Sequence, residues 1–175
     1  RFGTHAVSQQ VNKEFHIFLS HLHWDHIQGI PFFTPAFIPG NKVTFYGERK
    51  GKQSLQDILE AQMHSPNFPV PLSIMKASIN FVEVQPRDFL QFPSGITVRT
   101  TPMNHPNGCI GIRVDYQGKS VVYNTDTEHD PNGILDENVL ALAKDADILI
   151  YDSMYTDEQY RAGRIGWGHS TYTDC

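Results

Sequence analysis

The feature that most constrains this chain is a cluster of histidine and aspartate side chains that directly follows a short apolar segment. Residues 15–19 (FHIFL) have the composition of a buried strand. The motif HLHWDH at residues 21–26 then brings four metal-ligand side chains into six residues: His21, His23, Asp25 and His26. Side chains two apart in extended backbone point the same way, so the first two histidines are predicted to chelate one ion. A turn after Trp24 would direct the aspartate and the last histidine toward a second ion. A polar surface loop would not explain this clustering, whereas imidazole and carboxylate are ligands that suit Zn²⁺ and neighbouring divalent ions.

Further candidate ligands follow predicted strands elsewhere in the chain. His105 comes just after the predicted strand at residues 96–100, and Asp126 just after the one at residues 120–123. Either residue alone would be interpreted as a turn residue, because Asn, Asp and Pro favour turns. Together with the first motif, both are predicted to bind metal, and the aspartate has two oxygens with which to bridge two ions. His169 follows a Gly-Trp-Gly segment and is predicted to be functional rather than a capping or buried structural histidine.

Taken in order, the segments HLHWDH, NHP, NTDTEHD and GWGHST resemble successive motifs of the metallo-β-lactamase superfamily, and most of all its ribonuclease Z and phosphodiesterase-like branch. The resemblance runs from about residue 15 to residue 175. It implies an α/β fold, the four-layer αββα sandwich, with metals at one edge of the two sheets. It also implies two divalent ions, with Zn²⁺ favoured over Mn²⁺ or Fe²⁺. The implied ligands are three histidines for the first ion, an Asp-His pair for the second and one bridging aspartate: His21, His23 and His105; Asp25 and His26; Asp126.

The same resemblance implies hydrolysis by a hydroxide shared between two ions about 3.5–4 Å apart. Asp25 and His169 are the expected catalytic residues: the aspartate orients the hydroxide, and the histidine contacts a phosphoryl oxygen or protonates the leaving alkoxide. Thr125, Thr127 and Glu128 flank the bridging aspartate and are candidates for orienting it.

Several activities of this superfamily remain open. True zinc β-lactamases usually carry a cysteine at the place of Asp126, and flavodiiron oxygen reductases a glutamate at the place of His23, so both are disfavoured. Thioester hydrolases of the glyoxalase II type, or lactone hydrolases, share the ligands, but the GHST segment at residues 168–171 favours phosphodiesters. No Gly- and Pro-rich arm for tRNA is evident, and the proline-rich loop at residues 64–73 is equally a lid over a small substrate or a packing loop. We therefore expect a small phosphodiester substrate, such as a cyclic nucleotide, with a ribonuclease Z-like nuclease or a non-catalytic metal module as alternatives.

The composition of the chain limits the classes of binding partner that we expect. The chain of 175 residues has a net charge of −5 with His neutral, so it has no global field for nucleic-acid phosphates, although a local patch or a metal would still bind them. No stretch approaches the ~18 consecutive apolar residues of a membrane span. The two cysteines, Cys109 and Cys175, favour a reducing compartment. We expect one cytoplasmic domain over residues 1–175, with no membrane partner, nucleic acid a less favoured partner, and a homodimer an open arrangement.

The remaining pattern predicts the alternating helices and strands of a layered α/β protein. Ser54, with Asp57 three residues on, predicts a capping box that opens a helix. Gln117 and Gly118 predict a hairpin turn between two strands. A second helix is predicted over residues 134–143 and an apolar strand over residues 148–151. Four further histidines are interpreted as ordinary surface or loop residues: His5, His16, His64 and His129.

The resemblance also implies that terminal elements of the fold lie outside this sequence. A β-hairpin is expected before Arg1, and a helix and a strand with one more histidine for the second ion after Cys175. Thr171 and Asp174 resemble a capping box that opens such a helix. We therefore expect a nearly whole first metal site, a weak or empty second site, and exposed sheet edges that invite pairing with another chain.

Overall fold

The structure, a computed structural model, describes residues 12–174 of the chain. The backbone divides into two compact units, Arg1–Val84 and Gln85–Cys175, and the described part of each unit contains one β-sheet. None of the described helices is both long and apolar enough to cross a lipid bilayer. The expectation of a single domain stays a prediction.

The first unit contains a parallel sheet of three strands in the order β1-β2-β3. These are β1 (Glu14–Phe18), β2 (Lys42–Gly47) and β3 (Ser78–Glu83). The central strand β2 is buried from Val43 to Gly47, as expected of a strand covered on both faces, which is consistent with its nearly continuous apolar sequence. The strand predicted at residues 15–19 is thus present as β1.

The first unit contains short helical segments close to the histidine motif. The helix α1 (Trp24–Ile27) begins inside that motif, and a 3₁₀ turn (Ile30–Phe32) follows it. Pro31 lies at the start of that 3₁₀ turn, where its missing N–H costs nothing. A second 3₁₀ turn spans Thr34–Phe37 and a third spans Leu72–Ile74.

The helix α2 (Leu55–Ala61) confirms the predicted capping box. The Ser54 hydroxyl accepts a hydrogen bond from the Asp57 backbone N–H at 3.1 Å, and the Asp57 carboxylate accepts the Ser54 backbone N–H at 2.9 Å. Hydrogen bonds from Ser54 hold the pKa of Asp57 below its ordinary value. The helix places Leu55 and Leu59 in the core of the unit with no exposed surface, and burial of each such side chain contributes about 1.5–3 kcal/mol.

The second unit contains a sheet of five strands in the order β4-β5-β6-β7-β8. Three successive pairs are antiparallel, while the last two strands are parallel. The strands are β4 (Phe89–Gln91), β5 (Thr97–Met103), β6 (Cys109–Tyr116), β7 (Lys119–Asn124) and β8 (Ile148–Tyr151). The predicted hairpin turn is confirmed: Gln117 and Gly118 join β6 to β7 with positive φ angles of 48° and 74°, which suits the twist of a hairpin.

Two short helices complete the second unit. We predicted a helix over residues 134–143, but α3 spans Glu137–Ala143, because the Asp136 carboxylate accepts the backbone N–H groups of Asn138 and Val139 and so begins the helix there. Arg113 of β6 donates hydrogen bonds to the carbonyls of Leu142 and Lys144 and so satisfies the end of α3. The helix α4 (Asp157–Arg161) was not predicted, although Thr156 and Gln159 form a complete capping box that signals it.

The strand β8 lies at one edge of the described sheet, and its apolar side chains are exposed. Ile148, Leu149 and Ile150 each leave between 43% and 53% of their surface open, although alternate residues face opposite sides of the sheet. Its pairing with another chain stays a prediction.

Candidate metal centre

In the first unit, the histidine motif follows β1 and includes the start of α1, and its imidazole rings pack against one another. The backbone N–H of Leu19 bonds to Tyr46 of β2, so the chain is still held to the sheet as it enters the motif. His21 is buried, with 1% of its surface exposed. Its Nε2 lies 2.9 Å from Nδ1 of His23, and its ring centroid lies 4.2 Å from that of His26. Three of the four predicted ligands in this motif therefore lie side by side.

Aspartate Asp25 is on α1, and its Oδ2 lies 3.3 Å from Nε2 of His26. The Asp25 side chain is 71% exposed, so it faces solvent rather than the core. Asp25 and His26, predicted to hold the second ion, are thus in contact, while their binding of a metal stays a prediction.

The geometry of the first two histidines suits a metal ion. Ser20 Oγ lies 3.2 Å from Nδ1 of His21, which leaves Nε2 as the atom that faces His23. Two ligand atoms at ~2.0 Å from one ion in tetrahedral geometry lie on the order of 3.3 Å apart. The observed 2.9 Å between the two nitrogens is near that separation, so a small adjustment would admit a shared ion.

In the second unit, three candidate site residues come from three different loops. His105 lies in the turn after β5, Asp126 in the turn after β7 and His169 after the glycine-rich loop at residues 163–168. One ligand atom from each lies within 4.8 Å of the other two. Asp126 has a positive φ of 57°, a backbone conformation that aspartate tolerates better than most residues. The structure therefore brings together three residues that were singled out from the sequence, two at strand ends and one after the glycine-rich loop: His105, Asp126 and His169.

The ring of His105 is oriented by a backbone carbonyl. Its Nδ1 lies 2.8 Å from the oxygen of Gly168, and because a carbonyl only accepts hydrogen bonds, Nδ1 carries the proton. The opposite atom, Nε2, then presents a lone pair and lies 3.9 Å from Oδ2 of Asp126. A histidine whose other nitrogen donates to a carbonyl is the usual arrangement of a metal ligand, so the residues fit the group that the motif implies.

The ring of His169 is oriented by Asp152, a residue that the sequence analysis missed. Nδ1 of His169 lies 2.8 Å from Oδ2 of Asp152. The carboxylate also accepts the backbone N–H groups of Thr127 and Met154, each at 3.1 Å, and is itself buried. Asp152 directly follows β8, so the strand-end position that identified His105 and Asp126 was also the signal for this residue.

Glu128 was predicted to support the bridging aspartate, but its carboxylate binds the glycine-rich loop. One oxygen, Oε1, accepts the Tyr160 hydroxyl and the Gly166 N–H, and the other, Oε2, accepts the Gly168 N–H, all at 2.7 Å. Burial opposes ionisation of Glu128, but the hydrogen bonds from Gly166, Tyr160 and Gly168 outweigh it and hold its pKa below the ordinary value. Burial, and then the neighbouring Glu128, raise the pKa of Tyr160, so this hydroxyl stays a donor at neutral pH.

The two threonines beside Glu128 differ in their contacts. Thr127 uses its backbone: its N–H donates to Asp152, and its carbonyl accepts the Ser170 hydroxyl at 2.6 Å. The Thr125 hydroxyl oxygen is buried without a hydrogen-bond partner among the described residues. Neither side chain therefore supports Asp126 in the way that we expected.

The histidines interpreted as ordinary lie in structural or exposed positions where they are described. Nδ1 of His16 lies 2.9 Å from the Tyr46 hydroxyl, and His64 is exposed. Nε2 of His129 lies 3.2 Å from Asp174, and its ring packs on Tyr160 with centroids 4.4 Å apart. His129 belongs to none of the potential metal-ligand groups among residues 12–174. His5 lies outside the described residues.

Comparison with known proteins gives the family. The family described as "Beta-lactamase superfamily domain" matches residues 4–175 of this chain. Ribonuclease BN of Proteus mirabilis is 28% identical over 136 residues, which make up 74% of this chain and 41% of that protein. The chain therefore spans about two fifths of the length of this curated relative.

Solved structures give the fold. The metallo-β-lactamase fold protein YhfI from Bacillus subtilis aligns with a TM-score of 0.62 at 18% identity, over 97% of this chain and 60% of that one. The short form of human tRNase Z aligns with a TM-score of 0.62 at 19% identity, over 95% of this chain and 66% of that one. The fold class predicted from sequence is thus confirmed, and with a family match over nearly its whole length this chain belongs to the metallo-β-lactamase superfamily.

Proposed function

We propose that this chain is a metal-dependent hydrolase that acts on a small phosphodiester. The observation that carries the proposal is the pair of oriented histidines in the second unit: His105 is held by the Gly168 carbonyl and His169 by Asp152, next to Asp126. Rings fixed in this way present one defined nitrogen each, which metal binding and proton transfer both require.

Two divalent ions are part of the proposal, the second held more weakly as the sequence predicts, with Zn²⁺ favoured and Mn²⁺ or Fe²⁺ as alternatives. The proposed ligands are those of the sequence motifs: His21, His23 and His105 for one ion, Asp25 and His26 for the other, and Asp126 for both. When bound, the ions would supply a nucleophile from water near neutral pH and offset the negative charge that develops on the phosphoryl group. Support comes from the adjacent rings of His21 and His23 and from the orientation of His105.

His169 is the proposed general acid. Its Nδ1 donates to Asp152, so Nε2 is the atom at which a proton would be held and passed to the leaving alkoxide. Asp152 is buried and accepts two backbone N–H groups as well, so it would keep the ring in one tautomer and stabilise its protonated form. Asp25, which is exposed, is the proposed residue that orients the attacking water.

A second candidate is a nuclease that acts on RNA. Its support is the similarity to ribonuclease BN, which is 28% identical to this chain over 136 residues. The net charge of −5 disfavours it, because nucleic-acid binding draws most of its affinity from contacts between basic residues and phosphates.

We also propose a cytoplasmic location, since Cys109 is a buried free thiol.

A panel of model substrates tests the proposal. We expect the metal-loaded chain to hydrolyse bis(p-nitrophenyl) phosphate and to leave a thioester, a chromogenic cephalosporin and a single-stranded RNA oligonucleotide largely intact. His169→Ala is expected to lower kcat by about 10²–10⁴-fold, as removal of a general acid does, with metal content retained. His64→Ala, which changes an exposed histidine, is the matched control and should keep full activity. Hydrolysis of the thioester or the RNA but not of the phosphodiester would reject the proposal.

A further inference from the structure

We infer that Glu128 is a positioning residue: it fixes the backbone of the glycine-rich loop at residues 163–168 and thereby positions both His105 and His169. The inference rests on the proposed function, because it concerns the residues that would bind metal and transfer the proton. It differs from the role that the sequence suggested, since the carboxylate acts on the loop and not on Asp126.

The contacts of the Glu128 carboxylate divide between its two oxygens. Oε1 accepts the Tyr160 hydroxyl and the Gly166 N–H, while Oε2 accepts only the Gly168 N–H among the described contacts. All three donor–acceptor distances are 2.7 Å, short for bonds from N–H groups and typical of charge-assisted contacts. Gly166 and Gly168 both have φ of 85°, which glycine adopts readily, and because a glycine backbone is flexible the loop relies on hydrogen bonds such as these to stay in one conformation.

The residue at the end of this anchor determines where both histidines lie. The Gly168 carbonyl accepts the Nδ1 proton of His105 at 2.8 Å, and His169 is the next residue in the chain. A Cβ atom on residue 168 would come within 2.2 Å of Nδ1 of His105 and 2.3 Å of Cδ of Pro106. The close approach of this loop to His105 thus requires glycine, and a shift of the loop would move the acceptor of His105 and the backbone of His169 at the same time.

The backbone of Glu128 supplies the other end of the anchor. Its N–H donates to the carbonyl of Asn104 at 2.8 Å, and its own carbonyl accepts the Asn104 side-chain amide at 2.9 Å. Asn104 directly precedes His105, so Glu128 connects the turn that contains His105 to the loop that orients it. Three donors converge on the carboxylate, and a side chain with only one accepting oxygen would leave one of them unsatisfied.

Glu128→Gln tests this inference, with Tyr160→Phe as the matched control. A glutamine has one accepting oxygen, so in either orientation of its amide the NH₂ group meets a loop N–H, that of Gly166 or that of Gly168, with two donors in opposition. The phenylalanine removes one donor and leaves the bond to Gly168 intact. In metal-free protein labelled with ¹⁵N, we expect the hydrogen-bonded Nδ1 proton of His105 to give a slowly exchanging signal in the wild type and in Tyr160→Phe. We expect the signal to be lost or to exchange rapidly in Glu128→Gln.

Kinetics add a second readout on the metal-loaded chain. Glu128→Gln is expected to lower metal affinity or kcat by ~10–100-fold, the usual effect of losing a residue that orients a ligand, with KM little changed. A His105 proton signal as protected in Glu128→Gln as in the wild type would overturn the inference.

Glu128→Asp keeps the test decisive if Glu128→Gln does not fold. The aspartate keeps the charge and both accepting oxygens but withdraws them from the loop by one methylene group, so the His105 signal should again be lost or exchange rapidly, and a signal as protected as in the wild type would overturn the inference. A wild-type chain that hydrolyses no phosphodiester would reject the proposed function alone, because the ring signal of the metal-free protein still decides the role of Glu128.

Discussion

His21 and His23 in the first unit contact each other across one intervening residue, whereas His105 in the second unit is oriented by Gly168, 63 positions along the chain. The first arrangement is local, because a strand end and a short helix place its ligands in succession. The second is assembled from strand ends and a loop that long-range hydrogen bonds hold in place. We therefore expect substitutions at residues distant from the ligands to disturb the site residues of the second unit much more than those of the first.

The largest difference in kcat between the two units is expected when the residue that orients a histidine ring is changed. Asp152→Asn removes the buried charge that orients His169 and should lower kcat by about 10²–10⁴-fold with metal content unchanged. Ser20→Ala removes the contact at 3.2 Å to Nδ1 of His21 and should cost less than about 10-fold, the lower end for loss of a residue that orients a ligand, because the buried ring stays packed. Steady-state kinetics and metal analysis measure both variants, with Asp88→Asn as a control for the charge change. Equal losses from Asp152→Asn and Ser20→Ala would remove the difference between the units.

A smaller effect is expected from the two capping boxes, one in each unit. Ser54→Ala and Thr156→Ala each remove a hydroxyl that accepts a backbone N–H, and each should lower the free energy of unfolding by about 1 kcal/mol. Only Thr156→Ala should also lower kcat, because the backbone N–H groups of Gly163 and Arg164, at the start of the glycine-rich loop, bond to the Tyr160 carbonyl of α4. Denaturant unfolding and kinetics on both variants check this. A loss of kcat in Ser54→Ala that matched the loss in Thr156→Ala would contradict it.

Sequence reasoning succeeded where structure follows from neighbouring residues. The strand before the histidine motif, the capping box at Ser54 and the hairpin turn at Gln117 and Gly118 are all local features, and all are present. The candidate ligands in the motif could be identified for the same reason, since they are close in sequence as well as in space.

The features that the sequence did not reveal depend on contacts between distant residues. Asp152 is a candidate site residue only because His169 lies against it, 17 positions along the chain, and Glu128 contacts Gly168, 40 positions away. The start of α3 was placed too early, because the apolar residues Ile134 and Leu135 continue a helical pattern that Asp136 interrupts by capping. In each case the amino-acid type was noticed or noticeable, and the partner that gives it a role was not.

The proposal that Asp126 holds both metal ions is tested most directly by the metal content of the variant Asp126→Ala. Atomic emission on the purified wild-type chain and on the variant, loaded with Zn²⁺ under identical conditions, gives the number of ions bound per chain. Asp126 is the proposed ligand of both ions, and without its shared negative charge the two cations would repel each other. We expect the variant to lose metal and all measurable hydrolysis of bis(p-nitrophenyl) phosphate. A variant that kept the wild-type metal content and full activity would contradict this proposal.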